Sequence, residues 1–120
     1  MNVLLVTLDQ FRADCLSAAG HPVVRTPNLD RLAREGLKLT SAYAQPSCTP
    51  TRAALNTGRL PVRSGLLMPS LLNDKVDISG EILAAKLLSA AGYRSALSGK
   101  WLLGEKDGSR PWQVGFDEFE

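Results

Sequence analysis

Val3-Leu4-Leu5-Val6-Thr7-Leu8-Asp9 stands two residues into a chain of 120. A continuous apolar run of this length, unbroken by alternating polar residues, is the pattern of a strand buried on both faces, as in a parallel sheet. The run ends in a carboxylate, Asp9. In open α/β sheets, ligands bind beyond the carboxyl ends of the strands. The stretch therefore predicts an α/β fold and marks Asp9 as a place where chemistry is expected.

Outward from this stretch, helices and strands alternate. Residues 11–19 read as a short helix closed by Gly20, followed by loop punctuation at His21-Pro22 and Thr26-Pro27. Thr26 is placed to cap a helix with Pro27 at its first position; residues 28–35 continue it, with Leu29, Leu32 and Ala33 on one face and Gly36 as the stop. Leu37, Leu39, Ser41 and Tyr43 alternate with Lys38, Thr40 and Ala42, which predicts a second strand. A helix is expected from Pro50 to about Asn56, stopped by Gly58. Residues 60–78, with Pro61, Gly65 and Pro69, read as irregular. Gly80 to Ala91 reads as a helix that turns Ile82, Leu83, Leu87 and Leu88 to the core and stops at Gly92. Tyr93 to Leu97 is a third strand, and the tail reads as loop. The whole is one domain in this reading, 1–120.

Composition narrows the function classes. Fourteen Lys and Arg against twelve Asp and Glu leave a net charge of +2, too small to point to nucleic acid or a membrane surface. No apolar run approaches the roughly 20 residues that span a bilayer. Met1-Asn2-Val3 has no basic segment ahead of the apolar run, so a cytoplasmic location is expected, with export open to a signal trimmed before Met1. Two cysteines, Cys15 and Cys48, make no disulfide scaffold, and a Cys15–Cys48 bond is not expected in a reducing compartment.

Cys48-Thr49-Pro50-Thr51-Arg52-Ala53-Ala54-Leu55-Asn56-Thr57-Gly58-Arg59 concentrates the chemistry. Pro50 fits the first turn of a helix, which puts Cys48 just ahead of it. A helix N-terminus offers unpaired N–H groups and a positive dipole end to a tetrahedral anion. Arg52, in the first turn, is placed to stabilise a developing oxyanion. Taken alone, Cys48 reads as a small buried thiol in a capping loop; taken with Pro50 and Arg52 it reads as a nucleophile presented where a sulfate or phosphate group binds.

This segment resembles the sulfatase family, within the larger alkaline-phosphatase-like superfamily. The family pattern is Cys-x-Pro-x-Arg, then an apolar position and Thr-Gly-Arg, and Cys48, Pro50, Arg52, Leu55, Thr57, Gly58 and Arg59 fall in register with it. The resemblance implies that Cys48 is converted to formylglycine by a maturation enzyme. The hydrated aldehyde then attacks the sulfur of a small-molecule or sugar sulfate ester, and its second hydroxyl helps expel sulfate. It implies a divalent metal, usually Ca2+, bound by Asp9, with Gln10 offering an amide oxygen where many relatives have a second Asp, and with Cys48, as formylglycine, a further metal-site residue. Alone, Asp9 reads as a helix cap. The segment from Thr26 to Gly36 is similar to the family's first long helix, where it packs.

A second family pattern, Gly-Tyr followed by Gly-Lys-Trp-His-Leu-Gly, is matched by Gly92-Tyr93 and Gly99-Lys100-Trp101-Leu102-Leu103-Gly104. The resemblance makes Lys100 a point charge for the sulfate; outside the motif it is a solvated lysine at a strand end. Leu102 departs from the usual His and can neither donate nor accept a hydrogen bond. Gly115 to Phe119 is similar to a family segment that follows soon after, and Asp117, Glu118 and Glu120 read as an exposed acidic tail. His21 and Cys15 read as structural. The family fold is several times longer, so the resemblance describes the N-terminal part of its sheet, mainly parallel and flanked by helices, and implies that this chain alone binds calcium weakly. Two further functions remain open at this point: a phosphonate or phosphate ester hydrolase using the same nucleophile, and a non-catalytic remnant that binds an anion or a partner.

Overall fold

The computed structural model describes residues 1–68 and 76–120; Pro69, within the stretch expected to be irregular, lies outside them. The chain falls into two compact units, Met1–Tyr43 and Ala44–Glu120.

In the first unit, the expected helix over 11–19 is two 3-10 turns, Ala13–Cys15 and Ser17–Ala19, closed by Gly20 in the left-handed conformation. Helix α1 spans Pro27–Glu35, with Pro27 in its first turn and the Gly36 N–H returning to Leu32 O at 2.9 Å. Thr26 occupies the cap position, but its hydroxyl does not cap. Asp30, one turn into the helix, competes for it. Thr26 Oγ1 donates to Asp30 Oδ1 at 2.9 Å, Ser17 Oγ donates to Asp30 Oδ2 at 2.6 Å, and the Ala18 N–H reaches Asp30 Oδ1 at 2.9 Å. The Ser17 hydroxyl, foremost among these donors, holds the Asp30 carboxyl below the usual carboxylate range. This knot fastens α1 to the turn before it. His21 is structural: its Nδ1 accepts the Val24 N–H at 2.8 Å and closes the loop.

The two strands expected here do not form. Residues 3–8 and 37–43 join no ladder among the described residues, and Leu4 is 87% exposed. An apolar or alternating pattern records which face a segment would bury, but a strand exists only when a neighbour pairs its N–H and C=O groups. Leu29 and Leu32 of α1 are likewise exposed.

The second unit holds the core. Helix α2 spans Cys48–Thr57 and ends at Gly58, whose φ of 67° is the left-handed stop expected of it. The short α3, Pro61–Ser64, starts on Pro61 within the stretch expected to be irregular. Helix α4 spans Ala84–Ala90, shorter than the expected Gly80–Ala91, because residues 78–81 form a turn closed by Glu81 N–H to Ile78 O at 2.9 Å. Leu83, in the cap position, and Ala85 are buried, Leu88 is half-buried, and Ile82 and Leu87 face outward, contrary to the expected core face.

The sheet is a two-stranded parallel ladder, which makes the class α/β as expected. Strand β1, Ala96–Leu97, lies within the expected third strand; strand β2, Glu118–Phe119, lies in the tail expected to be loop. Ala96 pairs with Glu118 and Leu97 with Phe119. The acidic tail is thus fixed in place: Asp117 Oδ2 accepts the Ser95 N–H at 2.7 Å, and Glu118 pairs with Arg94 at 2.6 Å. Beneath the ladder Ala53, Ile78, Leu83, Trp101, Leu103 and Val114 form the buried cluster, with Leu66, Leu97 and Phe116 packed against it. Two glycines permit the close packing. A Cβ on Gly104 would stand 2.5 Å from Val76 O, and one on Gly115 would stand 2.5 Å from the Lys86 nitrogen. Both residues also have positive φ, 115° and 113°, so any side chain there would clash and be strained.

Candidate functional site

In the Ala44–Glu120 unit, α2 presents Cys48 as its first residue, so the helix starts two residues ahead of Pro50, where the sequence suggests its start. Pro50 is tolerated at the third position because N–H groups of the first turn have no intrahelical acceptor. Ser47 approaches the helix in extended conformation, φ −149° and ψ 171°, and makes no side-chain cap. Thr49, Pro50 and Ala53 bury one side of the first turns, while Cys48 is half-buried and carries no disulfide.

The loop before α2 is held by a residue that sequence reasoning passed over. Thr51 Oγ1 lies 2.8 Å from Ser47 O and 3.0 Å from Gln45 O, and the Thr51 N–H also reaches Ser47 O at 3.1 Å. A signal was available: a threonine four residues after a helix's cap position sits where its hydroxyl can return to the cap carbonyl. Thr49 Oγ1 is buried and has no hydrogen-bond partner among the described residues.

Arg52 extends from the same helix to the second motif. Its Nη1 donates to Lys100 O at 2.7 Å, a link across 48 positions of sequence. Lys100 stands three residues past the end of β1, after Ser98 and Gly99; the Gly99 N–H is anchored to Glu120 O at 2.8 Å, and Trp101 then turns inward. The Trp101 indole N–H is shared between Gly104 O and Ser109 O, each at 3.1 Å, and its ring meets Phe116 edge to face. Leu102 has φ 55°, left-handed and strained for a branched side chain. Backbone strain of this kind concentrates at functional sites. At the far end of α2, Arg59 pairs with Glu81 at 2.7 Å and ties the helix to the turn before α4.

Three of the residues singled out from sequence, Cys48, Arg52 and Lys100, therefore belong to this unit, with Arg52 and Lys100 in direct contact through the Lys100 carbonyl. Asp9 and Gln10 belong to the Met1–Tyr43 unit, exposed in the turn after residue 8. Gln10 has φ 57° and, with Leu102, is one of the two positive-φ residues other than glycine among the described residues. Asp9 and Gln10 offer hard oxygen donors of the kind Ca2+ takes, but that ion needs six to eight. No group of three or more His, Cys, Asp or Glu able to hold a metal occurs among the described residues. The donor set of the described residues does not fit a complete cation site.

These motifs and this fold define a class, and comparison with known proteins gives the same one. The sulfatase family profile matches residues 1–119, and the chain belongs to that family. It is 41% identical over 128 residues to N-acetylgalactosamine-6-sulfatase of Sus scrofa, covering 98% of this chain and 24% of that protein. Among solved structures it is similar to the PsFucS1 sulfatase from Pseudoalteromonas sp., with 58% identity, a TM-score of 0.71, and coverage of 79% of this chain and 20% of that one. It is also similar to BT4656, solved with its substrate D-glucosamine-2-N,6-O-disulfate, at 31% identity and a TM-score of 0.69 over 88% of this chain and 20% of that one. The chain spans about a quarter of the length of the curated relatives it matches.

Proposed function

We propose that the whole protein hydrolyses sulfuric esters and that this chain supplies its nucleophile and part of its anion-binding surface. The observation that carries the reading is Cys48 at the head of α2, on the helix whose Arg52 reaches the Lys100 carbonyl. Converted to formylglycine, residue 48 supplies a hydrated aldehyde oxygen that displaces the alcohol from sulfur. The N-terminus of α2 favours a tetrahedral anion through its N–H groups and dipole. Arg52 holds the Lys100 segment and adds a fixed positive charge. Lys100 supplies a second charge, suited to the sulfate oxygens. The substrate class we propose is a sugar sulfate, supported by the relatives named for such substrates. Asp9 and Gln10 are proposed as two of the oxygen ligands of a divalent cation in the whole protein.

The test is to express the chain together with a formylglycine-generating enzyme and treat it with an aminooxy probe. Labelling confined to the residue-48 peptide, and abolished by Cys48→Ala, is the expected result. A peptide that keeps its thiol under those conditions refutes the nucleophile assignment. The purified chain alone is expected to release little or no sulfate from an aryl sulfate, and robust metal-dependent release would refute the incomplete cation site.

A further inference from the structure

We propose that Thr51 is a positioning residue that fixes residue 48 by tying the entry loop of α2 to the helix. The catalytic meaning of this role rests on the reading of residue 48 given above; the geometry does not. Residue 48 opens α2, so its position depends on the helix and on the loop that leads into it. Pro46 is restrained at φ by its own ring. The carbonyls of its two neighbours, Gln45 and Ser47, converge on the Thr51 hydroxyl at 3.0 Å and 2.8 Å and share its one proton. Nothing in the Ser47 side chain performs this task, since it makes no cap. The other back-bonding side chains of α2 stay within the helix: Asn56 reaches Arg52 O at 2.9 Å and Thr57 reaches Ala53 O at 2.7 Å. Thr51 differs from them in reaching six residues back, outside the helix. A reactive side chain has to be held within about 0.5 Å of its productive position. Here the Thr51 hydroxyl, the Thr51 N–H to Ser47 O and the Pro46 ring hold the main chain that carries it, and the hydroxyl alone of these reaches Gln45 O.

The chain contains its own control. Cys15 and Cys48 are its two cysteines, both half-buried and neither in a disulfide, and Cys15 lies in the other unit. The experiment alkylates the purified chain, made without the maturation enzyme, with iodoacetamide. The limiting rate at high pH is read for each cysteine peptide by mass spectrometry, so that differences in thiol ionisation drop out. Thr51→Val removes the hydroxyl at nearly constant shape. Thr51→Ala removes it while favouring the helix. Thr51→Ser keeps it. The ratio of the Cys48 rate to the Cys15 rate is expected to rise about fivefold in the first two, the factor for loss of one neutral hydrogen bond, and to stay at the native value in Thr51→Ser. The proposal stands if both hydroxyl-less variants raise the ratio by about threefold or more and Thr51→Ser does not. Any other pattern overturns it, including a parallel rise at both cysteines, which reports general loosening. Failure of residue 48 to become an aldehyde would overturn the catalytic reading and leave this ratio unaffected.

Discussion

Replacing Leu103 with alanine tests whether the segment that carries Lys100 rests on a packed core. Leu103 is fully buried in the cluster with Ala53, Ile78, Leu83, Trp101 and Val114. Truncation of a buried leucine costs about 2–5 kcal/mol, the value depending on how far the surroundings collapse into the space left. Collapse is obstructed here. Trp101 is held by two hydrogen bonds from its indole N–H and an edge contact with Phe116, and Gly104 already lies against Val76 O. We therefore expect the upper part of the range, about 3–4 kcal/mol. A unit the size of Ala44–Glu120 is stable by about 4–11 kcal/mol in total. Leu103→Ala should remove about a quarter of that or more, and lower the melting temperature by on the order of 15–25 °C. Urea titration followed by far-ultraviolet circular dichroism measures the change as a lower midpoint at unchanged slope. A cost below about 1 kcal/mol would show that Leu103 does not sit in a close-packed site, and would refute the argument that this core fixes the Lys100 segment.

Thr49→Val should stabilise the unit by about 1 kcal/mol, because it removes a buried hydroxyl with no partner among the described residues while nearly keeping the shape; a loss of stability in the same titration would reveal a partner for that hydroxyl. Asp77 governs part of the acid limb. The Ser79 hydroxyl and N–H, together with the Ser109 hydroxyl, hold its carboxyl below the usual range. Its folded-state pKa is thus below its unfolded one, so its contribution is complete above the unfolded value of about 3.9 and is lost as pH falls through the folded value. Denaturation midpoints measured from pH 6 down to about pH 2 should fall less steeply in Asp77→Asn than in the native chain, and parallel curves would rule out this linkage.

Local signals in the sequence were legible because their causes are local. Thr26-Pro27 and Gly36 bracket α1, and the left-handed Gly58 ends α2, since cap and stop positions depend on residues within one turn. Cys48 at the head of a helix followed from Pro50 for the same reason. The strand predictions needed partners, which no window of sequence contains. Val3 to Leu8 has the stronger apolar pattern yet forms no ladder among the described residues, whereas the unremarkable pair Glu118–Phe119 does, because Ala96–Leu97 lies beside it. Within the site, the residue types at 48, 52 and 100 were readable as motifs. The Arg52–Lys100 link and the role of Thr51 were not, because both act through main-chain carbonyls, and a carbonyl leaves no trace in residue identity. The Leu102 departure was readable as a substitution, but not as a residue held at positive φ.

The indole of Trp101 is sealed in the core, while Trp112 is 56% exposed beside the Arg110 guanidinium. These are the two tryptophans of the chain, and they give it two intrinsic fluorophores in opposite surroundings. Emission from Trp101 belongs at the blue edge of the band and resists aqueous quenchers; emission from Trp112 belongs at the red edge and yields to acrylamide first. A single spectrum thus separates the segment behind Lys100 from the outer surface, and a perturbation of that segment would show as a change at the blue edge.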